Sequence, residues 1–413
     1  MLKQQNNKLA VILFTTFLNT MGIGILIPVF AFIVSQYTGG NATTETMQNT
    51  AITVGLISSC YAFCEFLVAP TLGVLSDKYG RKPVLVFSMV GSIVGYLLLG
   101  IGGSLWILFL GRIIDGLSAG NISTIFAYVG DISTDKSRNK NYGLVGATLG
   151  FGFLFGPALG GFLAGFSYSL PMFMSASLCF INLIWIYFGL EESHKIENRG
   201  NKLTDKIKFQ DINPIGVFWD IGTNAFLKTI LVASSFHFLA FAQLQGNGSV
   251  LFKDVLGWNP FEIGIAFFVI GSVNIAMQGF LTDKLSKKFG EKKMIIFGLI
   301  ATIFAYLLWA LLPITGSVWL TYFGLVVFSF GTGLFEPNMA SLVSWSGGRE
   351  NQGKSQGSYQ SLQSLSRVIG PVLAGVLYGF NNSFPYLLSA IIVCISVYLF
   401  SKVNLSKPSS KPL

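Results

Sequence analysis

The chain has 413 residues, 52% of them hydrophobic and only 11% charged, with a mean hydropathy of +0.63. Soluble globular proteins carry about 25% charged residues. A body this size with so few charges cannot present a water-soluble surface, which excludes soluble enzymes and, despite the net charge of +9, nucleic-acid-binding proteins. The composition predicts an all-α membrane protein whose main surroundings are a lipid bilayer.

A membrane span needs about 20 apolar residues. Twelve runs meet that length, at 9–35, 52–74, 83–101, 105–128, 142–165, 170–190, 225–250, 260–282, 294–312, 317–342, 355–379 and 384–402. The first is too long for the apolar core of a cleavable signal. The polar stretch 191–214 is the one credible linker, and it divides the chain into an N-terminal six-helix bundle (1–190) and a C-terminal one (215–413). All but four of the 27 Lys and Arg residues fall in the segments on one side, if the N-terminus is internal; the exceptions are Lys253, Arg112, Lys228 and Arg367. The positive-inside rule then puts both termini and the linker in the cytoplasm.

In chain order, GVLSDKYGRKP (73–83) joins the second and third spans. Gly80 suits a turn needing positive φ and Pro83 a helix start. Asp77 is placed to cap a helix end, and Asp131, at the end of the fourth span, to partner Arg81. GRIIDG (111–116) buries Arg112 in the fourth span with Asp115 one turn away on the same face. The fifth span carries GFLFGPALGG (152–161), and GPALGGFLAGFSYSLPMFMSA (156–176) recurs 214 residues later as GPVLAGVLYGFNNSFPYLLSA (370–390). Gly156 and Pro157 are among the repeated residues. Two six-span halves related by a parallel repeat predict two pseudo-symmetric bundles with a site between them that rock about it.

An ionisable group within a span is a functional candidate by default. Glu65 lies 12 residues before Asp77, roughly 18 Å along its helix. Glu336 precedes Pro337 in the tenth span. These two acids and Asp115 are the candidate proton carriers, although a salt bridge to Arg112 offers Asp115 a purely structural role instead. Candidate substrate contacts are the polar residues within spans: Asn19, Gln243, Gln278, Asn338, Gln363 and Arg367. His237 fits a packed histidine better than a proton relay. The four cysteines, Cys60, Cys64, Cys179 and Cys394, lie in apolar runs and offer no disulfide or redox pattern. No metal, cofactor, nucleotide or nucleophile motif is present.

The motifs at 73–83, 111–116 and 152–161, with NTMGIGILIPV (19–29), resemble the major facilitator superfamily. More narrowly they resemble its twelve-span drug/proton antiporters, and the tetracycline/proton antiporter group above all, which APTLGVLSDKYGRKPVLVFS (69–88) and LFKDVLGW (251–258) also match. The resemblance implies a monomeric carrier in a bacterial cytoplasmic membrane that exchanges protons for a small amphipathic compound. It further implies that Gly73, Asp77, Gly80, Arg81 and Asp131 form an inner gate, that Asp77 latches onto the start of the eleventh span near Gly353, and that Gly156 and Pro157 mark an exporter. In the second half GFLTDKLSKKFGEKK (279–293) is degraded, with either Asp283 or Lys287 in the place of Asp77. One departure stands out. The tetracycline group carries aspartates in spans one, three and nine, where this chain has Asn19, Gly95 and Thr302. A dedicated exporter of an endogenous metabolite such as a siderophore, or an importer or uniporter without proton coupling, are the alternatives.

Overall fold

The structure is a computed structural model that describes residues 2–39, 44–119, 121–134, 137–193, 225–346 and 348–403. Among these residues there are helices and no strand. In chain order the spans are Leu2–Leu26 with Phe30–Ser35, Thr44–Tyr79, Arg81–Ile101, Leu105–Ser118 with Asn121–Ile132, Arg138–Ala164 and Leu170–Gly189. The second half continues with Ala225–Leu256, Pro260–Ala276, Glu291–Ala310, Val318–Ser346, Gly348–Phe380 and Phe384–Lys402. The eighth span extends beyond Ala276 through a π turn (Met277–Leu281) and a further helix, Thr282–Phe289. The fold is the expected all-α membrane architecture. The linker at 191–214 lies, from residue 194 onward, outside the described residues.

Eleven of these spans are long and apolar enough to cross a bilayer. Gly348–Phe380 is the exception, because SQGSYQSLQSLSR (355–367) spreads hydroxyls, amides and a guanidinium along it. It begins five residues before Gly353. Such a helix is stable only where its polar side faces protein or water.

Local chemistry sets the breaks. Pro28 supplies no amide donor, and the first span ends at Leu26 and restarts at Phe30. Gly80 (φ 109°) and Gly290 (φ 87°) make the same turn in the two halves, between spans two and three and between eight and nine. At the first of these turns the start of the third span is capped by a residue other than Asp77. Glu192 caps it, with Oε1 accepting from the Arg81 amide at 2.9 Å and Oε2 from the Lys82 amide at 3.1 Å.

The two halves meet over only part of their length. Pro157 and Gly161 of the fifth span face Pro260 and Gly264 of the eighth. A methyl group on Gly161 would lie 2.4 Å from the Pro260 carbonyl oxygen, and one on Gly264 2.6 Å from that of Pro157. The second contact repeats the first. Pro371 and Gly375 of the eleventh span face Ala51 and Gly55 of the second, with distances of 2.6 Å (Gly375 to Ala51 O) and 2.3 Å (Gly55 to Pro371 O). Each clasp is thus a four-residue step on one helix against a four-residue step on the other. Both lie towards the end of the bundle away from the termini. There Ser249 Oγ also donates to the Ile27 carbonyl at 3.0 Å, and Lys253 Nζ to Ser35 Oγ at 2.6 Å with its ammonium 4.7 Å from the Phe32 ring centroid.

The opposite end is parted. On the faces that carry the clasps, methyl groups on Gly143, Gly146 and Gly150 of the fifth span, Gly279 beyond the eighth, Gly73 of the second and Gly357 of the eleventh would meet nothing within 4 Å. The apolar core divides in the same way. One cluster runs through both halves and includes Leu26, Val29, Phe252 and Trp258, whereas Ile12, Leu85, Tyr128 and Ile186 form a cluster of the first half alone. The molecule is a cleft closed at one end and open at the end that bears the termini.

Candidate functional site

Deep in the first half, a polar chain crosses three helices. Arg112 and Asp115 are 8% and 3% exposed, and Arg112 Nη1 lies 2.9 Å from Asp115 Oδ2. Ser92 of the third span donates to Asp115 Oδ1 at 2.8 Å. The Arg112 guanidinium rests on Tyr61 of the second span, 3.8 Å from the ring centroid, a cation–π contact worth about 2 kcal/mol when desolvated. Tyr61 stands one turn from Glu65 on the same helix. Glu65 Oε2 in turn lies 3.8 Å from Arg367 Nη1 of the eleventh span. Sequence alone offered Glu65 no partner; the structure gives it one from the other half of the chain.

The second half contributes a polar cluster of its own. Gln278, on the π turn of the eighth span, lies beside Glu336, and Tyr359, with Gln363 one turn further along the same helix, stands on its other side. A π turn displaces side chains from their helical register and recurs at functional positions. Thr282 Oγ1 stabilises this one by donating to the carbonyls of Met277 (3.0 Å) and Gly333 (2.9 Å). Aromatic rings stand beside this cluster: Phe238 is 5.1 Å from Tyr359, and His237 4.1 Å from Phe335, between ring centroids.

The remaining polar candidates divide. Asn338 is engaged by the protein, donating to Leu334 O at 2.7 Å and accepting from Ser286 Oγ at 2.7 Å. Asn19 and Gln243 are buried, with the Asn19 amide nitrogen and both Gln243 amide atoms unpartnered. His237 is fully buried with neither ring nitrogen bonded.

At the open end, Arg81 is largely buried and gathers three partners: Asp77 Oδ1 at 2.6 Å, Ser76 Oγ at 2.6 Å and Asp131 Oδ2 at 3.2 Å. Asp77 therefore faces Arg81 in this structure, and its proposed partner Gly353 lies among residues whose side chains are not described. In the second half the two candidates for the place of Asp77 are joined to each other, Lys287 Nζ to Asp283 Oδ2 at 2.6 Å.

Two of the three positions lacking an aspartate are tightly packed. A methyl group on Gly95 would lie 2.7 Å from Asp115 Cβ, and Thr302 is fully buried against Gly331 with its hydroxyl on Leu299 O. Sequence reasoning passed over Tyr61, Ser92, Tyr359 and Glu192. Tyr61 and Tyr359 are visible in the sequence only as aromatic residues one turn from Glu65 and Gln363, and Ser92 only as a hydroxyl on a different span from Asp115.

Among the described residues, twelve spans around a cleft with buried ion pairs define a membrane carrier of solutes. The sequence profile of the Major Facilitator Superfamily matches residues 12–371, and the chain belongs to that superfamily of transporters. It is 31% identical to the tetracycline resistance protein, class C, of Escherichia coli over 92% of both chains. It is 29% identical to multidrug resistance protein 1 of Bacillus subtilis (strain 168) over 96% of both. The crystal structure of the human organic anion transporter MFSD10 (TETRAN) shares the fold, with a TM-score of 0.74 and 21% identity across 96% of this chain and 99% of that one.

Proposed function

We propose that the protein exports amphipathic organic compounds from the bacterial cytoplasm in exchange for protons, by alternating access. It works as a non-enzymatic monomer in the inner membrane with both termini inside. Residues 1–190 and 215–413 are the two moving bodies and 191–214 their linker. The open end is then the cytoplasmic one, and the clasps seal the outer side. The observation that carries this reading is the Glu65–Arg367 pair, one residue from each half, 3.8 Å apart. A proton on Glu65 removes one charge of a pair that spans the two bodies, so proton binding and rocking share an interaction.

In this reading Glu65, Asp115 and Glu336 carry protons, with Arg112 as the charge partner. Gln278, Gln363 and Arg367 meet the substrate in the cleft, and Asn19, Gln243 and Asn338 contribute from the helices around it. Gly73, Asp77, Gly80, Arg81 and Asp131 form the inner gate; Gly156 and Pro157 stiffen the outer one. The resistance functions named for the relatives favour drug-like cargo, and the aromatic rings beside the Glu336 cluster suit an amphipathic compound.

The test is respiration-driven acidification of everted membrane vesicles, followed while a tetracycline, a lipophilic cation such as ethidium and an iron-free siderophore are added in turn. Collapse of the pH gradient by a compound, absent from vesicles without the protein, establishes exchange. A response to the siderophore alone establishes the metabolite exporter. Uptake of compound that leaves the gradient untouched overturns proton coupling in favour of a uniporter. Glu336→Gln and Glu65→Gln are expected to abolish the collapse, and its survival in both would remove them from the coupling path.

A further inference from the structure

The third and fourth spans are pressed together where Asp115 projects. Besides its contact with Asp115 Cβ, a methyl group on Gly95 would lie 2.8 Å from the Gly111 carbonyl oxygen. Position 95 is confined to glycine by the helix it faces. Ser92, one turn earlier on the same face, points its hydroxyl at the Asp115 carboxylate. At this point of the interface the Ser92 hydroxyl of the third span meets a carboxylate reaching in from the fourth.

We propose that this interface is a single carboxylate site, that protonation of the group there sets which side of the protein is open, and that the location of the charge matters while the helix supplying it does not. The proposal rests on the coupling role given to Asp115 above and goes further by fixing what that role requires. The groups facing Asp115 are Arg112 on its own helix, Ser92 and Tyr96 on the third span, Tyr61 and Glu65 on the second and Cys179 on the sixth. Arg112 and Glu65 are the charged ones. Arg112 Nε has no partner and its Nη1 depends on Asp115. A neutral Asp115 therefore leaves the guanidinium held by the Tyr61 ring. Tyr61 lies one turn from Glu65 and hence from the Arg367 contact between the halves.

Exchanging the two hydrogen-bonded residues, Ser92→Asp with Asp115→Ser, puts a carboxylate in the same place from the opposite helix, with a serine hydroxyl to bond it. It also avoids the crowded position 95. Ala147 provides a reporter that needs no known substrate: it is exposed, two turns before Leu154 on the fifth-span face that meets the eighth span further out. The full chain, carrying Ala147→Cys with the four native cysteines replaced by serine, is labelled in everted vesicles with an impermeant maleimide. Labelling is normalised at each pH to the detergent-denatured protein.

Labelling is expected to change several-fold between mildly acidic and mildly alkaline buffer. Asp115→Ser should lose that response and the double exchange should restore it. Asp115→Asn, of the same shape and unable to ionise, should stay at the acidic level throughout. Loss of the response in both Asp115→Ser and a double variant that melts like the parent would overturn the proposal and leave Asp115 its coupling role. A response that survives in Asp115→Ser overturns both. No response in the reporter parent, or Asp115→Asn fixed at the alkaline level, overturns control by protonation even if the double exchange fails to fold.

Discussion

Gly55 and Pro371 touch backbone to backbone across the seam between the two halves, so closely that one added carbon on Gly55 would lie 2.3 Å from the Pro371 carbonyl oxygen. Pro371 is pinned from its other side by Gly246 of the seventh span, where an added carbon would lie 2.6 Å from its Cβ. Neither glycine has a neighbour able to yield, because the atoms they meet are backbone and a proline ring.

Gly55→Ala and Gly264→Ala should therefore hold the outer side ajar. Overpacking of this kind costs about 1–3 kcal/mol, and here the cost falls only on the closed state. The expected outcome is loss of transport with unchanged expression. The thiol introduced by Ser249→Cys, sealed in the parent, should become reactive towards impermeant maleimide added to whole cells. If that thiol stayed sealed in both glycine variants, the clasps would not be what gates access.

Arg81 holds the open end of the first half together. Arg81→Ala strands Asp77 and Asp131 without their cation and should lower stability by about 2–3 kcal/mol. Arg81→Lys keeps the charge but cannot reproduce the forked contacts to three partners. Thermal unfolding of the purified variants should rank the parent above Lys and Lys above Ala.

Glu192 supplies the cap of the third span. Glu192→Ala leaves two amides at the start of the third span without their acceptor and should cost about 0.5–2 kcal/mol, the usual range for losing a cap. Asp77→Asn should leave the melting temperature closer to that of the parent. The reverse order would make Asp77 the cap of the third span.

His237 packs between the rings of Phe238 and Phe335 with both nitrogens unbonded. Because an unpartnered polar group buried there is a cost, His237→Leu should match the parent within about 1 kcal/mol or exceed it, and should transport at the parental rate. Loss of transport with intact folding would make it a relay.

The fold was legible because each span must bury its own backbone polar groups in lipid, which forces apolar runs about 20 residues long. The repeat was legible for a related reason, since the steps Gly156–Pro157 and Gly370–Pro371 do the same packing work in both halves. The partners of those steps were not legible. Gly55 and Gly264 look like any other glycine in a span, and only the crossing of two helices singles them out. The same holds for Tyr61 beneath Arg112, Arg367 beside Glu65, and Glu192 reaching back 110 residues to the Lys82 amide. Helical periodicity tells which residues share a face, but carries no record of which helix that face will meet.

The polar composition of Gly348–Phe380 also bears on how the chain is made. Arg367 alone costs about 2.5–3.5 kcal/mol at the centre of a lone inserting helix, and the glutamines and serines before it add to that. This segment cannot leave the translocon by dissolving into lipid. It has to be received by protein already in the membrane, and its receivers, the second and seventh spans with Gly55, Glu65 and Gly246, are synthesised well before it. Biogenesis is therefore obligatorily ordered, and truncated chains lacking either receiver should expose the segment to quality-control proteases.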